Sequence, residues 1–407
     1  MNARFSIYIF SVKFNRMDKK QKDGLRTWIE IDKKALNNNY KIFRSIIPKK
    51  CRLMSVVKSN AYGHGLVDFS KEISRLGADW LGVDTVVEAL ALRREGIKKP
   101  ILILGYTRPS VFKEAVEADI SITISTFESL EALEKIKTKK PIKIHIKVDT
   151  GMGRQGFLPQ DLSSVLKSKI LNLKSPSIFI EGLYTHFAAA KNPSFPKYTY
   201  GQIEQFKKWV EAFHKAGFKP IIHSAASSGT LIFPESHFDM VRVGISFYGL
   251  WPSPEVKAFS KDKYKLQPIL TWKTIVSEVK VLPKGSGVGY DLIETLEKDT
   301  KVAVCPIGYW HGYPRAFSSI GRVLIGGKQC RVIGRVSMDM IVIDVFSVKN
   351  VKVEDEVVIL GKQGPASHKA TQGKQEKVTA DELATLSGTT NYEVVTRINP
   401  LIKRFYV

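Results

Sequence analysis

Cysteine is scarce in this chain: Cys51, Cys305 and Cys330 stand alone among 407 residues. Their spacing matches no metal-ligand pattern and three cannot all pair, which argues against a disulfide framework and for a reducing cytoplasm. Long apolar runs are also missing, and no stretch reaches the ~20 residues that a spanning helix needs. Residues 5–12 are apolar behind one arginine, as a secretory signal would be. That patch is short, lacks a small-residue cleavage site and is followed by Lys13 and Arg16. Residues 1–26 are therefore read as an N-terminal tail, with Met17 as an alternative start. Acidic residues are few: 39 Asp and Glu face 63 Lys and Arg, a net charge of +24. Such an excess attracts phosphate backbones. Here the lysines are scattered in short pairs, such as Lys139-Lys140 and Lys207-Lys208, with no long basic tract or nucleic-acid reader motif. A basic soluble surface is the expectation, with neither nucleic acid nor membrane as partner.

What is present is an alternation of periods. Short β-rich apolar runs occur at 52–58, 80–85, 100–105, 120–125, 143–149, 178–187, 221–227 and 240–246. Between most of them lie amphipathic helical stretches such as LVDFSKEISRLG and GQIEQFKKWVEAFHKAG. Near-continuous apolar strands alternating with helices indicate a parallel sheet covered on its outer face, and eight such units close into a barrel. Beyond about residue 255 the helical period stops and strand-like runs separated by Gly and Pro take over. The fold class expected is α/β: a (β/α)8 TIM-like barrel over 34–255, followed by a mostly β C-terminal domain over 256–407. Residues 27–33 are read as a strand joining that second domain, and the polar segment 361–377 as a surface loop.

Barrel active sites lie at the carboxyl ends of the strands, and Lys58 ends the first of them in SVVKSNAYGHG. A partly desolvated lysine there can lose its proton and attack an aldehyde. Position alone favours the plainer alternative, a lysine snorkelling to solvent. The loops after strands seven and eight, HSAASSG and VRVGISFYG, are where barrels bind phosphate. Ser227 offers a hydroxyl, and the amides of Gly244 and Ile245 can face an anion. An aldehyde-bearing phosphate would join these loops to Lys58, and pyridoxal 5'-phosphate carries both groups.

The series VVKSNAYGHG, VDTGMGRQGF, THFAAA, VRVGISFYG, IGYWHGYPR and GRVSMDM resembles the motif series of the alanine racemases, in the family's order. The resemblance implies a pyridoxal phosphate-dependent homodimer with active sites shared between subunits, supplying D-alanine for peptidoglycan. It makes Lys58 the lysine that carries the cofactor and acts as one base, and Tyr290 the opposing base, lent by the partner subunit. Two bases flanking one carbon are what racemisation requires. It makes Arg242 the cation facing the pyridine nitrogen, His186 its support, and Tyr62, Ser227, Gly244 and Ile245 the phosphate contacts. Arg154 would touch both cofactor and substrate, and Lys147, in some members carbamylated, would steady it. Met338 would hold the substrate through its backbone amide, with Tyr309 and Asp339 near the entrance. No metal is implied.

The chain departs from the family pattern in two places. Ala226-Ser227 stands where many members have Asn-Ser, and NPLIKRFYV yields no assignable counterpart of a tyrosine that contacts the phosphate near the C-terminus. A serine or broad-specificity racemase shares nearly every motif, and a non-catalytic pyridoxal-binding protein shares the barrel. A related decarboxylase should show a glycine-rich phosphate loop and a cysteine motif, and neither is found. GMGRQG at 151–156 fits the dinucleotide pattern G-x-G-x-x-G, but Arg154 interrupts it, no convincing helix opens on the third glycine and no acidic strand end follows.

Overall fold

In the computed structural model, residues 24–168, 178–363 and 376–407 are described. The tail up to residue 23 and most of the segment expected as a loop, 364–375, lie outside them.

Eight parallel strands form a closed barrel: β2 (Arg52–Val56), β3 (Trp80–Val83), β4 (Ile101–Ile103), β5 (Ser121–Ile124), β6 (Ile142–Lys147), β7 (Ile178–Tyr184), β8 (Ile221–Ala226) and β9 (Met240–Val243). Closure comes from β2 pairing with β9, Arg52 opposite Met240 through Ser55 opposite Val243. All residues of β3, β4, β5 and β9 are buried. They face barrel interior and helices alike, which is why β3 and β4 read as continuous apolar runs, while β5 and β9 bury Ser, Thr and Arg among their apolar residues. The helices start where a side chain can take up free first-turn N–H groups: Asp32 caps Lys33–Ile46, Thr85 caps Val86–Arg94 and Thr126 caps Phe127–Ala132.

The second domain is a largely antiparallel sheet. Its ordered path runs β11 (Glu278–Leu282), β12 (Thr300–Cys305), β15 (Ile341–Asp344), β14 (Lys328–Ile333), β13 (Arg322–Ile325), β16 (Glu356–Lys362), β10 (Leu270–Ile275), β1 (Thr27–Ile31) and β18 (Arg404–Tyr406). The first described strand, β1, thus leaves the barrel and lies between β10, antiparallel, and β18, parallel. Gly361 and Lys362 pair with Val378 and Lys377 of β17 (Lys377–Val378), so both ends of the segment expected as a loop are strand. The buried core runs without a break from the barrel helices into this sheet, through residues such as Phe43, Phe247, Ile269 and Leu360.

Candidate active site

Lys58 stands two residues beyond the end of β2, and the backbone after it is strained. Ser59, Asn60, Ala61 and Tyr62 all have φ between 51° and 56°, one turn of left-handed helix built without glycine. Such a conformation costs L-residues roughly 1–2 kcal/mol each, so the surroundings must over-determine it. They do. Ala61 N–H donates to Val57 O at 2.8 Å and Gly63 N–H to Ser59 O at 3.2 Å. Glu88 Oε1 accepts Ser59 N–H at 2.6 Å, and Asn60 Oδ1 accepts Leu66 N–H at 2.9 Å. From the second domain, Arg404 Nη2 donates to Gly63 O at 2.9 Å and Tyr406 Oη to His64 O at 3.0 Å. A side chain at Gly63 would put its Cβ 2.0 Å from Val395 O, so glycine is required there.

The turn opens into a cavity of about 740 Å³ at the carboxyl ends of the strands. Lys58, Tyr62, Lys147, Arg154, His186, Ser227, Arg242, Gly244 and Ile245 all line it. Lys58 Nζ donates to Asp84 Oδ1 at 3.1 Å. Lys147 Nζ donates to Gln155 Oε1 at 2.7 Å, and Gln155 Nε2 to Ser125 Oγ at 3.2 Å. Burial, and then the charges of Arg242, Arg154 and Lys58, push the Lys147 amine down to about 8. The glycine loop after β6 is folded around Asp149: Oδ1 accepts N–H from Gly151, Met152 and Gly153, and Oδ2 from Arg154 at 2.7 Å. Burial raises the Asp149 carboxyl, but these four donors outweigh it and hold the group below its usual range. The amides that a dinucleotide fold would turn toward pyrophosphate are therefore spent inside the loop.

Arg242 is 3% exposed and fixed on every side. Nη1 donates to His223 Nδ1 at 2.9 Å. Nη2 donates to Thr185 O at 2.7 Å and Ser224 O at 2.9 Å, and meets His186 Nδ1 at 3.3 Å. The guanidinium also lies 5.0 Å from the centre of the Tyr184 ring. Burial draws Arg242 down to about 10, still cationic at neutral pH. Burial and the neighbouring cations, Arg242 first, lower His186 to about 3, so its ring is neutral.

Across the cavity the helix Ser227–Ile232 begins without a side-chain cap, and Ser227, Ser228 and Gly229 line the wall. Its first N–H groups are left for an anion. Ser227 Oγ accepts Gly244 N–H at 3.1 Å, and a Cβ on Gly244 would lie 2.9 Å from Tyr62 Oη. Tyr392 lines the same wall, its ring 6.2 Å from that of Tyr62, with Lys191 Nζ 4.4 Å above it. Burial, then Asp84, raises the Tyr62 phenol to about 12, which keeps it a neutral donor.

Tyr290, Tyr309, Met338 and Asp339 do not line this cavity. They gather on the second domain, where Tyr309 N–H donates to Ser337 O at 3.1 Å and Trp310 N–H to Met338 O at 3.0 Å. Asp339 Oδ1 is 4.0 Å from His311 Nδ1. Tyr290, 67% exposed, opens a strained turn in which Asp291 has φ 62° and accepts from Arg335 Nε at 2.8 Å. Leu292, Ile293, Trp310 and Met340 are exposed on the same strand ends and turns.

Reading the sequence missed Asp84, Gln155, Lys191, His223 and Tyr392. NPLIKRFYV was the wrong place to seek the cavity tyrosine: Tyr406 turns behind the Lys58 loop, and the helix Asn391–Thr396 supplies Tyr392 instead. Only the apolar spacing of NYEVV in a helix that follows Thr390 could have flagged it.

A closed eight-stranded barrel with an amine at one strand end and an uncapped helix at another defines a class, the (β/α)8 barrels with a lysine-bearing site at the carboxyl ends of their strands. The sequence matches the family description "Alanine racemase, N-terminal domain" over residues 31–252 and "Alanine racemase, C-terminal domain" over 269–406. An alanine racemase of Methanococcus maripaludis is 41% identical over 383 residues, covering 93% of this chain and 98% of its own. One of Symbiobacterium thermophilum is 40% identical, covering 94% and 98%. Among solved structures, the alanine racemase of Bacillus anthracis with bound L-Ala-P superposes with a TM-score of 0.85 at 34% identity, covering 94% of this chain and 95% of that one. That of Clostridium difficile 630 gives 0.86 at 32%, covering 94% and 96%. The chain belongs to the alanine racemase family.

Proposed function

We propose that this protein interconverts L-alanine and D-alanine with pyridoxal 5'-phosphate, as a cytoplasmic homodimer that supplies D-alanine for peptidoglycan. The observation that carries this reading is the convergence on one cavity of Lys58, the neutral-histidine-supported Arg242 and an uncapped helix start beside Gly244. That donor set fits the cofactor. Ser227, Gly244, Ile245 and the hydroxyls of Tyr62 and Tyr392 would hold its phosphate, Lys58 its aldehyde carbon and Arg242 its ring nitrogen. Bound, the cofactor acts as an electron sink that acidifies the α C–H of an amino acid.

The chain's own groups divide the remaining work. Lys58 Nζ removes or returns the proton on one face of the α-carbon. Arg242, still cationic at neutral pH, would face the cofactor's ring nitrogen and disfavour a second positive charge there. Arg154, its backbone fixed by Asp149, and Met338 of a second copy hold the substrate carboxylate. Lys147 and Gln155 brace this side of the cavity. Tyr290 of a second copy handles the proton on the opposite face, with Tyr309 and Asp339 at the mouth. Support for the shared site is the position of Tyr290 outside its own chain's cavity, on an exposed face rich in Leu292, Trp310, Met338 and Met340.

The test is α-proton exchange in deuterated water with purified protein, added pyridoxal phosphate and separate samples of L-alanine, D-alanine, L-serine and L-lysine, followed by chiral analysis. Exchange with inversion for alanine is the expected outcome. Equal turnover of serine or lysine would replace alanine by a wider substrate class, and no exchange with any of them would sink the reading.

A further inference from the structure

Among the described residues no carboxylate lies against the guanidinium of Arg242, yet a line of side chains leads from it to one. Arg242 Nη1 meets His223 Nδ1 at 2.9 Å. His223 Nε2 meets His145 Nδ1 at 2.9 Å. His145 Nε2 lies 3.4 Å from Glu181 Oε2, within ion-pair range but short of a formed hydrogen bond, and the same carboxylate oxygen accepts from Ser121 Oγ. The line passes through the barrel interior by way of β9, β8, β6 and β7. Both rings are wholly buried.

Donor logic fixes every proton along it. A guanidinium can only donate, so His223 Nδ1 is an acceptor and its single proton sits on Nε2. That N–H donates to His145 Nδ1, which places the second ring's proton on Nε2, facing Glu181. Each ring carries one proton, and the two hydrogen bonds and the 3.4 Å approach to Glu181 point the same way, from cation to carboxylate. We propose that Glu181 is a positioning residue for Arg242, acting through His145 and His223.

The barrel is built around this line. Gly182, beside Glu181, pairs with His145, and a Cβ there would lie 2.1 Å from His145 Nδ1. Tyr184 stacks on His223 with ring centres 4.6 Å apart and planes 7° from parallel, and Trp80 meets His145 edge-on at 5.4 Å. Burial and the Arg242 charge keep His223 well below its usual range, and burial lowers His145 despite the pull of Glu181. Neutral rings let a remote carboxylate orient the guanidinium while keeping its own negative charge away from the cofactor side, where it would favour protonation of the ring nitrogen.

The inference rests on Arg242 facing the cofactor, and the experiments separate the two. In holoenzyme labelled with ¹⁵N-histidine, eight histidines in all, the resonances of His145 and His223 should each show a protonated Nε2 and a bare Nδ1. A proton on Nδ1 of either ring at neutral pH would overturn the relay. Glu181→Gln retains a carbonyl acceptor and should leave kcat within about twofold of wild type, whereas Glu181→Leu should lower kcat about tenfold with KM unchanged, as losing the partner behind an oriented imidazole does elsewhere. In Glu181→Leu the side reaction should also rise several-fold. There the substrate amine passes to the cofactor, and one pyruvate appears for each pyridoxamine phosphate formed. No rise in Glu181→Leu alongside a clear rise in Arg242→Lys would sink the relay. No rise in either would sink the assignment of Arg242 itself. Should Glu181→Leu fail to fold, the wild-type spectrum and Glu181→Gln still decide.

Discussion

The barrel mouth and the exposed face around Tyr290 are built to opposite rules. At the mouth, functional side chains are held by their own chain: Arg242 by four partners, Lys58 by Asp84, Ser227 by Gly244. On the second domain, Tyr290 and Met338 are more than half exposed, and no hydrogen bond fixes the phenol of Tyr290 among the described residues. The first region is built within one chain, whereas the shared site proposed above would give the second its purpose against a second copy. On that proposal, a reaction that needs proton-handling groups on both faces of one carbon would draw on both kinds of region.

Lys58→Ala breaks the first region outright. Activity should fall by at least about 10³-fold, and borohydride treatment should no longer attach cofactor mass to the chain. An active mutant would contradict the role given to Lys58. Tyr290→Phe breaks the second region and spares the first: cofactor attachment stays intact, while exchange starting from one enantiomer falls by about 10²-fold or more and from the other much less. Equal small losses in both directions would count against two bases. Trp310→Glu places a charge on the exposed apolar face and should shift sedimentation toward single chains that keep cofactor but lose most activity. A fully active single chain would dissolve the comparison. Gly244→Ala puts a methyl 2.9 Å from Tyr62 Oη and should weaken cofactor binding about tenfold, measured by equilibrium titration. Asp84→Asn should have the smallest effect, about threefold on kcat/KM, because the half-exposed pair with Lys58 is screened by solvent.

The eight barrel strands were legible in the sequence because burial on both faces writes itself as short runs rich in Val, Ile and Leu. The cavity lysine was legible because a charged residue ending such a run breaks the pattern. Contacts made at long range left no such mark. Asp84 is 26 residues from Lys58, and Tyr392 reaches Tyr62 from a helix near the other end of the chain. His223 looked like one more polar residue in IIHSAAS until the barrel closed and set it between Arg242 and His145. The GMGRQG loop shows the converse: its pattern suggested a ligand, and folding spent its amides on Asp149.

The left-handed turn after Lys58 also sets an order of assembly. Its last clamps, Arg404 on Gly63 and Tyr406 on His64, come from residues 341 and 342 positions further along. A ribosome that has finished the barrel has therefore not finished the lysine's mounting. A nascent chain halted before residue 404 would carry Lys58 on a turn whose strain is only partly offset, and its cofactor chemistry would wait for the final strand.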